Sequence, residues 1–178
     1  LCRRPNWEIL FRLYHDQKLN PMSFLRSEEF LNILTECCIK DYPYTPFADA
    51  FHTMRSMLLP VLYLMGSEVP KADVYHAICT GYGGLLACLG GHVYKKKVLL
   101  TEHGIYTRER EEEIIRAKWV QPAFKKQWIS FFYMLSDIIY TRAFLVSALF
   151  TNAMHAQIQM GCDKEAFPYS IERGRRMG

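Results

Sequence analysis

The densest group of chemically capable side chains lies between residues 102 and 110. Within these nine residues the chain carries a carboxylate, an imidazole, a phenol and two guanidinium groups, on Glu102, His103, Tyr106, Arg108 and Arg110. Glutamate and histidine can hydrogen-bond the hydroxyls of a sugar or move protons, and arginine can hold a phosphate or a carboxylate. The group therefore predicts a site for a polar substrate, with a buried salt-bridge network as the structural alternative.

A glycine-rich segment precedes this group along the chain. It reads Thr80, Gly81, Tyr82, Gly83 and Gly84. Glycines let a backbone approach a ligand closely, and the start of a following helix favours an anion. The spacing departs from G-x-G-x-x-G, so it does not predict a dinucleotide site. Contact with a ligand and a plain tight turn both remain open for this segment.

Histidine provides one further candidate. His76 lies near the end of the apolar run before the glycine-rich segment, and both ligand contact and a satisfied core position fit it. The remaining histidines have no partners at a recognisable spacing and are interpreted as structural or surface residues. The chain contains no G-x-S-x-G motif, no phosphate-binding Walker loop and no H-E-x-x-H motif. These remaining histidines are His15, His52, His92 and His155.

The cysteines and the net charge narrow the classes of function. None of the six cysteines forms a C-x-x-C pair, and no histidine cluster follows at zinc spacing, so we expect no metal site. Buried, reduced thiols are the interpretation. The net charge of +4 is mild and owes much to Arg173, Arg175 and Arg176 near the end of the chain. We therefore expect no nucleic-acid partner.

The elements that must position these residues follow an alternating pattern from residue 73 onward. A buried strand is predicted at 73–78, a helix at 85–94, a second strand at 98–101 and a charged helix at 107–118. This alternation is typical of a parallel α/β sheet, in which ligands bind at the carboxyl ends of the strands. A long helix to about residue 140, a strand at 144–147 and a helix at 151–160 continue it.

The first 70 residues have a different pattern. Apolar residues at helical spacing predict a short first helix after Asn6, a second helix at 27–40 and a third at 47–65. The chain is therefore divided into a helical segment (1–70), Rossmann-like βα units (71–165) and an atypical basic tail (166–178). Because the sequence starts with Leu1 and ends in this tail, we expect it to be a piece of a longer protein.

One run, at 128–150, is apolar enough to resemble a membrane span. Asp137 and Arg142 lie inside it, and charges are costly in lipid. A buried helix followed by a buried strand is therefore the preferred interpretation. A membrane-associated helical protein is the weaker alternative.

Three runs of sequence resemble the PelF family, the cytosolic glycosyltransferases of Pel exopolysaccharide synthesis. They are D-V-Y-H-A at 73–77, T-G-Y-G-G-L-L at 80–86 and L-T-E-H-G-I-Y-T-R-E-R at 100–110. The segment F-H-T-M-R-S-M-L-L-P at 51–60 is also similar. The resemblance covers roughly residues 5–165. These enzymes are retaining GT-B transferases of glycosyltransferase family four.

The resemblance implies a fold and an activity. The fold would be a partial Rossmann-like N-terminal domain of a GT-B enzyme, with extra helices before the parallel strands. The reaction would move a hexose from UDP-glucose or a related UDP-hexose to a growing exopolysaccharide, with retention and without a separate cofactor or metal. The partners would be the nucleotide sugar, the glycan acceptor and a membrane-bound polymer synthase assembly. The location would be cytoplasmic, peripheral at the inner membrane through those partners.

The resemblance also implies roles for individual residues. His103 would contact the reacting sugar, although a retaining mechanism is not thought to need a strong enzymic base. Glu102 would share the catalytic position. The substrate-binding residues would be His76, Thr80, Gly81, Tyr82, Gly83, Gly84, Tyr106, Arg108 and Arg110.

The sequence departs from the family in two places. It lacks the glycine-rich first strand, and it lacks the second domain that holds the donor and carries a Glu-x7-Glu motif. We therefore expect the isolated chain to be inactive. A non-catalytic α/β interaction module, or a remnant without a donor site, is the alternative.

Overall fold

The structure is a computed structural model that describes residues 5–148 and 151–163. Contacts between Cα atoms divide the chain into two compact units. The helical unit comprises Pro5–Glu68 and Ala117–Trp128, and the sheet unit comprises Val69–Arg116 and the described residues between 129 and 163. The segment at 117–128, which the sequence prediction grouped with the βα units, therefore belongs with the helices. The predicted basic tail at 166–178 lies outside the described residues.

The helices of the helical unit begin where the sequence offers a cap. The side chain of Asn6 accepts a hydrogen bond from the backbone N–H of Ile9 at 3.1 Å, and Ser27 Oγ accepts one from Phe30 N–H at 3.2 Å, which satisfies first-turn donors. The predicted helices at 27–40 and 47–65 are confirmed. The helices are α1 (Trp7–Phe11), a π-helix (Arg12–Asp16), α2 (Pro21–Leu25), α3 (Glu28–Asp41) and α4 (Phe47–Met65), and the later segment contributes a 3₁₀ turn (Pro122–Phe124).

The sheet unit contains three parallel strands in the order in which they occur along the chain. Tyr75 pairs with Val98 and Leu100 pairs with Val146. The α/β class is confirmed, and the sheet with its crossover helices is compatible with a partial Rossmann-like domain. The strands are β1 (Val74–Ala77), β2 (Lys97–Glu102) and β3 (Leu145–Ala148), and the helices are α5 (Gly81–Tyr94), α6 (Tyr106–Arg116), α7 (Lys125–Arg142) and α8 (Thr151–Gln159).

The sequence left open a tight turn before the helix for the glycine-rich segment. In the structure, Thr80 is the N-cap of α5, and the three glycines lie in the first turn of that helix. Glycine disfavours helix interiors, yet packing requires it here. A Cβ on Gly84 would lie 2.9 Å from Cγ2 of Ile139, and a Cβ on Gly90 would overlap the ring of Tyr75. Close packing therefore outweighs helix propensity, and α5 starts four residues earlier than the predicted Leu85.

The apolar run at 128–150 forms the end of α7 followed by β3. Leu135, Ile138 and Ile139 are fully buried, as is most of Val146. This confirms the predicted helix and strand. Within the ranges that the structure describes, no helix has both the length and the apolar character needed to cross a membrane.

Candidate functional site

The carboxyl ends of β1 and β2 bring together the two motifs that the sequence singled out. Each strand leads through a short loop into the first turn of a helix, at Gly81 for α5 and at Tyr106 for α6. A Cβ placed on Gly81 would lie 2.7 Å from Cε1 of Tyr106. Gly81 also has a φ of +68°, a conformation that favours glycine. The two helix starts are therefore neighbours at one edge of the sheet.

Aromatic packing extends this contact. The rings of Tyr82 and Tyr106 both meet Phe132 edge-on, with centroids 6.5 and 6.1 Å away. The Arg110 guanidinium carbon lies 5.3 Å from the Tyr106 ring centroid, within the range of a cation–π interaction. Arg110 also forms an ion pair with Glu113 at 2.6 Å. Its charge is therefore engaged by protein groups.

Glu102 ends β2 but is only 1% exposed. Its Oε2 accepts hydrogen bonds from the Tyr140 hydroxyl at 2.7 Å and from Gln157 Nε2 at 2.6 Å. Its Oε1 accepts a longer one, 3.4 Å, from the backbone N–H of Tyr106. Burial raises the pKa of Glu102, and the hydrogen bonds from Gln157, Tyr140 and Tyr106 act in the opposite direction.

These contacts define what Glu102 can do. Its three donors come from α6, α7 and α8, and within the described residues it forms no ion pair, so the buried salt-bridge alternative does not describe it. The carboxylate has no exposed surface from which to meet a substrate. Glu102 is in a position to fix the helices around the site, and the catalytic role predicted for it stays a prediction.

Two other predicted residues, Thr80 and His76, have hydrogen-bond partners of their own. Thr80 is fully buried, and its hydroxyl lies 2.7 Å from that of Ser136. His76 is exposed, and its Nε2 lies 2.9 Å from Oγ1 of Thr101 on the neighbouring strand. Thr80 thus links the start of α5 to α7, and His76 is the penultimate residue of β1.

The remaining predicted residues differ in exposure. Gly84 is buried against α7, whereas Gly83, His103 and Arg108 are exposed. Arg108 forms no ion pair among the described residues, in contrast to Arg110. Of the two guanidinium groups in the motif, Arg108 is therefore the one available to a ligand.

A cavity of about 480 Å³ lies beside Arg108. Its volume falls within the range typical of ligand sites. Asn152, His155 and Gln159 line it from α8, and Tyr133 lines it from α7. A guanidinium, an imidazole and two amides thus face one space, a set of groups that can hydrogen-bond a hydroxylated or anionic ligand. The Tyr133 hydroxyl there already donates to Glu111 Oε2 at 2.9 Å.

Sequence reasoning missed the α8 side of this cavity. His155 has no partner at a recognisable spacing when it is taken singly, which is why the sequence predicts a structural or surface residue. Asn152, His155 and Gln159 recur at intervals of three and four residues, a spacing that places side chains on one face of a helix. That spacing was the available signal.

A second cavity, of about 430 Å³, shares Tyr133, Gln159 and Met160 with the first. Ser136 and Tyr140, the partners of Thr80 and Glu102, are among its other lining residues. The buried hydrogen bonds of the site therefore lie in the wall of this space.

The cysteines are only partly as predicted. Cys38, Cys88 and Cys162 are buried, but Cys37 is exposed and Cys79 is half-buried. Cys37 lies on the outer side of α3, which the apolar sequence around it did not reveal. In the part of the chain that the structure describes, no three His, Cys, Asp or Glu side chains are grouped to hold a metal ion.

Comparison with known proteins gives one match. Neither the curated proteins nor the solved structures contain a match to this chain. A family model described as "Domain of unknown function (DUF3492)" matches residues 3–165. The match covers most of the chain, including both units and every residue of the site. The chain therefore belongs to the DUF3492 family.

Proposed function

We propose that this chain is the acceptor-side part of a retaining GT-B hexosyltransferase, similar to the PelF enzymes, that extends an exopolysaccharide from a UDP-hexose. The observation that carries the proposal is the 480 Å³ cavity beside Arg108. There the motif T-E-H-G-I-Y-T-R-E-R meets α8. The groups lining the cavity suit the hydroxyls of a sugar and the phosphate of the UDP-hexose.

The chemistry assigned to each group follows from its exposure. The Arg108 guanidinium can donate hydrogen bonds to a phosphate oxygen, because it forms no ion pair among the described residues. Asn152 and Gln159 can donate to and accept from sugar hydroxyls through their amides. His103, exposed just after β2, is the group we assign to the reacting sugar.

Buried residues act on the site indirectly. Glu102 accepts a hydrogen bond from the backbone N–H of Tyr106. This contact fixes the start of α6, the helix that carries Arg108. We assign it a positioning role instead of contact with the substrate. Gly81 and Tyr106 have the same role, because their packing sets the distance between the starts of α5 and α6.

The proposal includes the setting of the enzyme. The donor is UDP-glucose or a related UDP-hexose, held chiefly by a second domain, and no metal or cofactor takes part. The enzyme is cytoplasmic and works beside a membrane-bound polymer synthase assembly. We expect this chain alone to bind UDP-glucose weakly or not at all in calorimetry. Tight binding would contradict the proposal that a second domain holds the donor.

The test is a transfer assay on the full-length protein whose sequence contains this chain, with UDP release as the readout. His103→Ala and Arg108→Ala should each lower kcat/KM by about tenfold or more, the size expected for loss of a charged or proton-bearing contact in the transition state. Glu112→Ala, an exposed change on the same helix outside the cavity, should leave it unchanged.

A non-catalytic interaction module is the second candidate. The observation in its favour is exposed apolar surface on β1 and just after it, where Val74 is 45% exposed and Ile78 is 66% exposed. Parallel sheets are usually covered on both faces, so a partner could cover this one. Normal transfer by folded full-length His103→Ala and Arg108→Ala proteins would favour a non-catalytic role for this chain within the full-length protein.

A further inference from the structure

The helical unit contains its own polar cavity, of about 200 Å³, which we call the Trp119 cavity. One face of α4 forms one wall, and the segment from Trp119 to Trp128 forms the other. None of the residues described above at the carboxyl ends of β1 and β2 lines this cavity. This space has no part in the transfer reaction proposed above.

The aromatic wall is unusual in its exposure. Trp119 is 66% exposed, whereas Trp128 beside it is 8% exposed. The two rings meet edge-on, with centroids 5.6 Å apart and planes at 80°, the favoured geometry for aromatic pairs. Trp128 thus supports Trp119 and leaves much of its indole surface open. Exposed tryptophan is enriched where proteins bind ligands or partners.

The opposite wall is polar. Asp49, His52, Thr53 and Ser56 follow the helical spacing of three and four residues, and all four line the cavity. Within the described residues, the side chains of Asp49, His52 and Thr53 form no hydrogen bond. Ser56 donates to the backbone carbonyl of His52 at 2.8 Å. This wall therefore offers a carboxylate, an imidazole and a hydroxyl that are free to bind.

A further polar group comes from the aromatic side. Gln121, two residues after Trp119, also lines the cavity, is exposed, and has no side-chain hydrogen bond among the described residues. Its amide can donate and accept. An open indole ring thus lies among unpaired donors and acceptors, the arrangement that a sugar ring requires, because a hexose has C–H bonds on its faces and hydroxyls around its edge.

Charge and size narrow the ligand. Among the described residues, no lysine or arginine lines the cavity, and Asp49 repels anions, so binding of a nucleotide or a uronic acid is disfavoured. The volume of about 200 Å³ corresponds to about seven water molecules at roughly 30 Å³ each. That space suits one sugar ring.

We propose that the Trp119 cavity binds one uncharged hexose unit of a glycan, stacked on Trp119 and hydrogen-bonded by Asp49, His52 and Gln121. As a site for the acceptor glycan the inference rests on the proposed function, which it deepens by locating a subsite away from the reacting sugar. As a glycan-binding site it has its own readout, because binding requires neither a donor nor turnover.

The experiment is calorimetric titration of this chain with uncharged tetrasaccharides of glucose, galactose and N-acetylglucosamine, and with tetragalacturonate as the anionic comparator. We expect at least one uncharged tetrasaccharide to bind and tetragalacturonate to bind more weakly. Trp119→Ala should weaken binding about five- to tenfold, as expected for loss of an aromatic contact. Tyr44→Ala removes a 99% exposed ring of the same unit that does not line the cavity, and it should have no effect.

A second variant protects the test against a folding defect. Gln121→Ala changes an exposed side chain and should also weaken binding, with an unchanged melting temperature. The inference is overturned if none of the uncharged tetrasaccharides binds, if Trp119→Ala and Gln121→Ala bind as tightly as the parent chain, or if tetragalacturonate binds as tightly as the uncharged sugars.

The two proposals can fail separately. If Trp119-dependent glycan binding is found but the full-length protein releases no UDP, the cavity stands as a glycan site and the transferase is rejected. If transfer is normal and depends on Arg108 while no tetrasaccharide binds, the cavity inference falls and the transferase remains.

Discussion

The ring of Tyr106 lies directly on Gly81, so close that a Cβ at residue 81 would be 2.7 Å from Cε1 and 2.8 Å from the phenolic oxygen of Tyr106. This contact joins the first turns of α5 and α6. Because Gly81 also has a positive φ, both the space and the backbone at this position require glycine. The edge of the sheet at which we locate substrate binding thus depends on the absence of one side chain.

We predict that Gly81→Ala destabilises the fold by about 1–3 kcal/mol, because the added methyl group must displace a packed ring and the residue must hold an unfavourable φ. Urea denaturation measures the loss. Gly83→Ala is the matched control, since Gly83 is exposed and its Cβ would meet only Cys79 Sγ at 3.3 Å. We expect its effect to stay within about 1 kcal/mol. Equal costs for the two changes would contradict the importance of the Tyr106 contact.

The cysteines give a prediction that tests burial directly. Cys37 is exposed, whereas burial raises the pKa of the Cys88 thiol to about 12. Because the thiolate is the reactive form, iodoacetamide at pH 8 should modify Cys37 at least about a hundredfold faster than Cys88. Peptide mass spectrometry of the native protein reads each site, and unfolding in urea should remove the difference. Comparable native rates would show that the interior around α5 opens easily.

The fold was largely predictable because its signals are local. The periodic apolar residues of α4 predicted its length, and Asn6 and Ser27 marked helix starts through their side-chain oxygens. The alternation of strand and helix after residue 73 predicted the parallel sheet. The error at the glycine-rich segment has a physical reason: helix propensity argues for a turn, but Gly84 is needed for the contact with Ile139, which no local pattern reveals.

The site was less predictable because its partners are distant along the chain. The resemblance implies a catalytic role for Glu102, yet its environment is set by Tyr140 and Gln157, 38 and 55 residues further on. The polar wall of the Trp119 cavity was missed for the same reason. His52 was considered alone, although the aromatic wall it faces comes from a segment far along the chain.

The buried Glu102 carboxyl predicts how stability depends on pH. Burial raises its pKa in the folded state above the ordinary 4.5, so between these two values the folded protein binds more protons than the unfolded chain. Stability should therefore fall as pH rises from about 4.5 through the folded-state pKa, with a slope of at most about 1.4 kcal/mol per pH unit from this group. The Glu102→Gln variant has no ionisable side chain at this position and should lack this contribution to the pH dependence of stability.

Urea denaturation of both proteins between about pH 4 and pH 8 measures this difference, since the other titrating groups are shared and cancel. The parent chain should lose stability relative to Glu102→Gln as the pH rises. A parent chain that gains stability relative to the variant over this range would mean that the hydrogen bonds from Tyr140 and Gln157 outweigh burial and lower the pKa of Glu102.

Tyr140 supplies the last prediction, because its hydroxyl donates to the same carboxyl oxygen as Gln157 does. Tyr140→Phe removes one of these donors from a buried acceptor and should cost about 1–3 kcal/mol at pH 7. Without that donor the pKa of Glu102 should rise further, which would extend the fall in stability to higher pH. In the Glu102→Gln background the cost should be smaller by about 0.5–3 kcal/mol, the coupling typical of groups in one network. A cost that is the same in both backgrounds would mean that the Tyr140 hydroxyl does not act through Glu102.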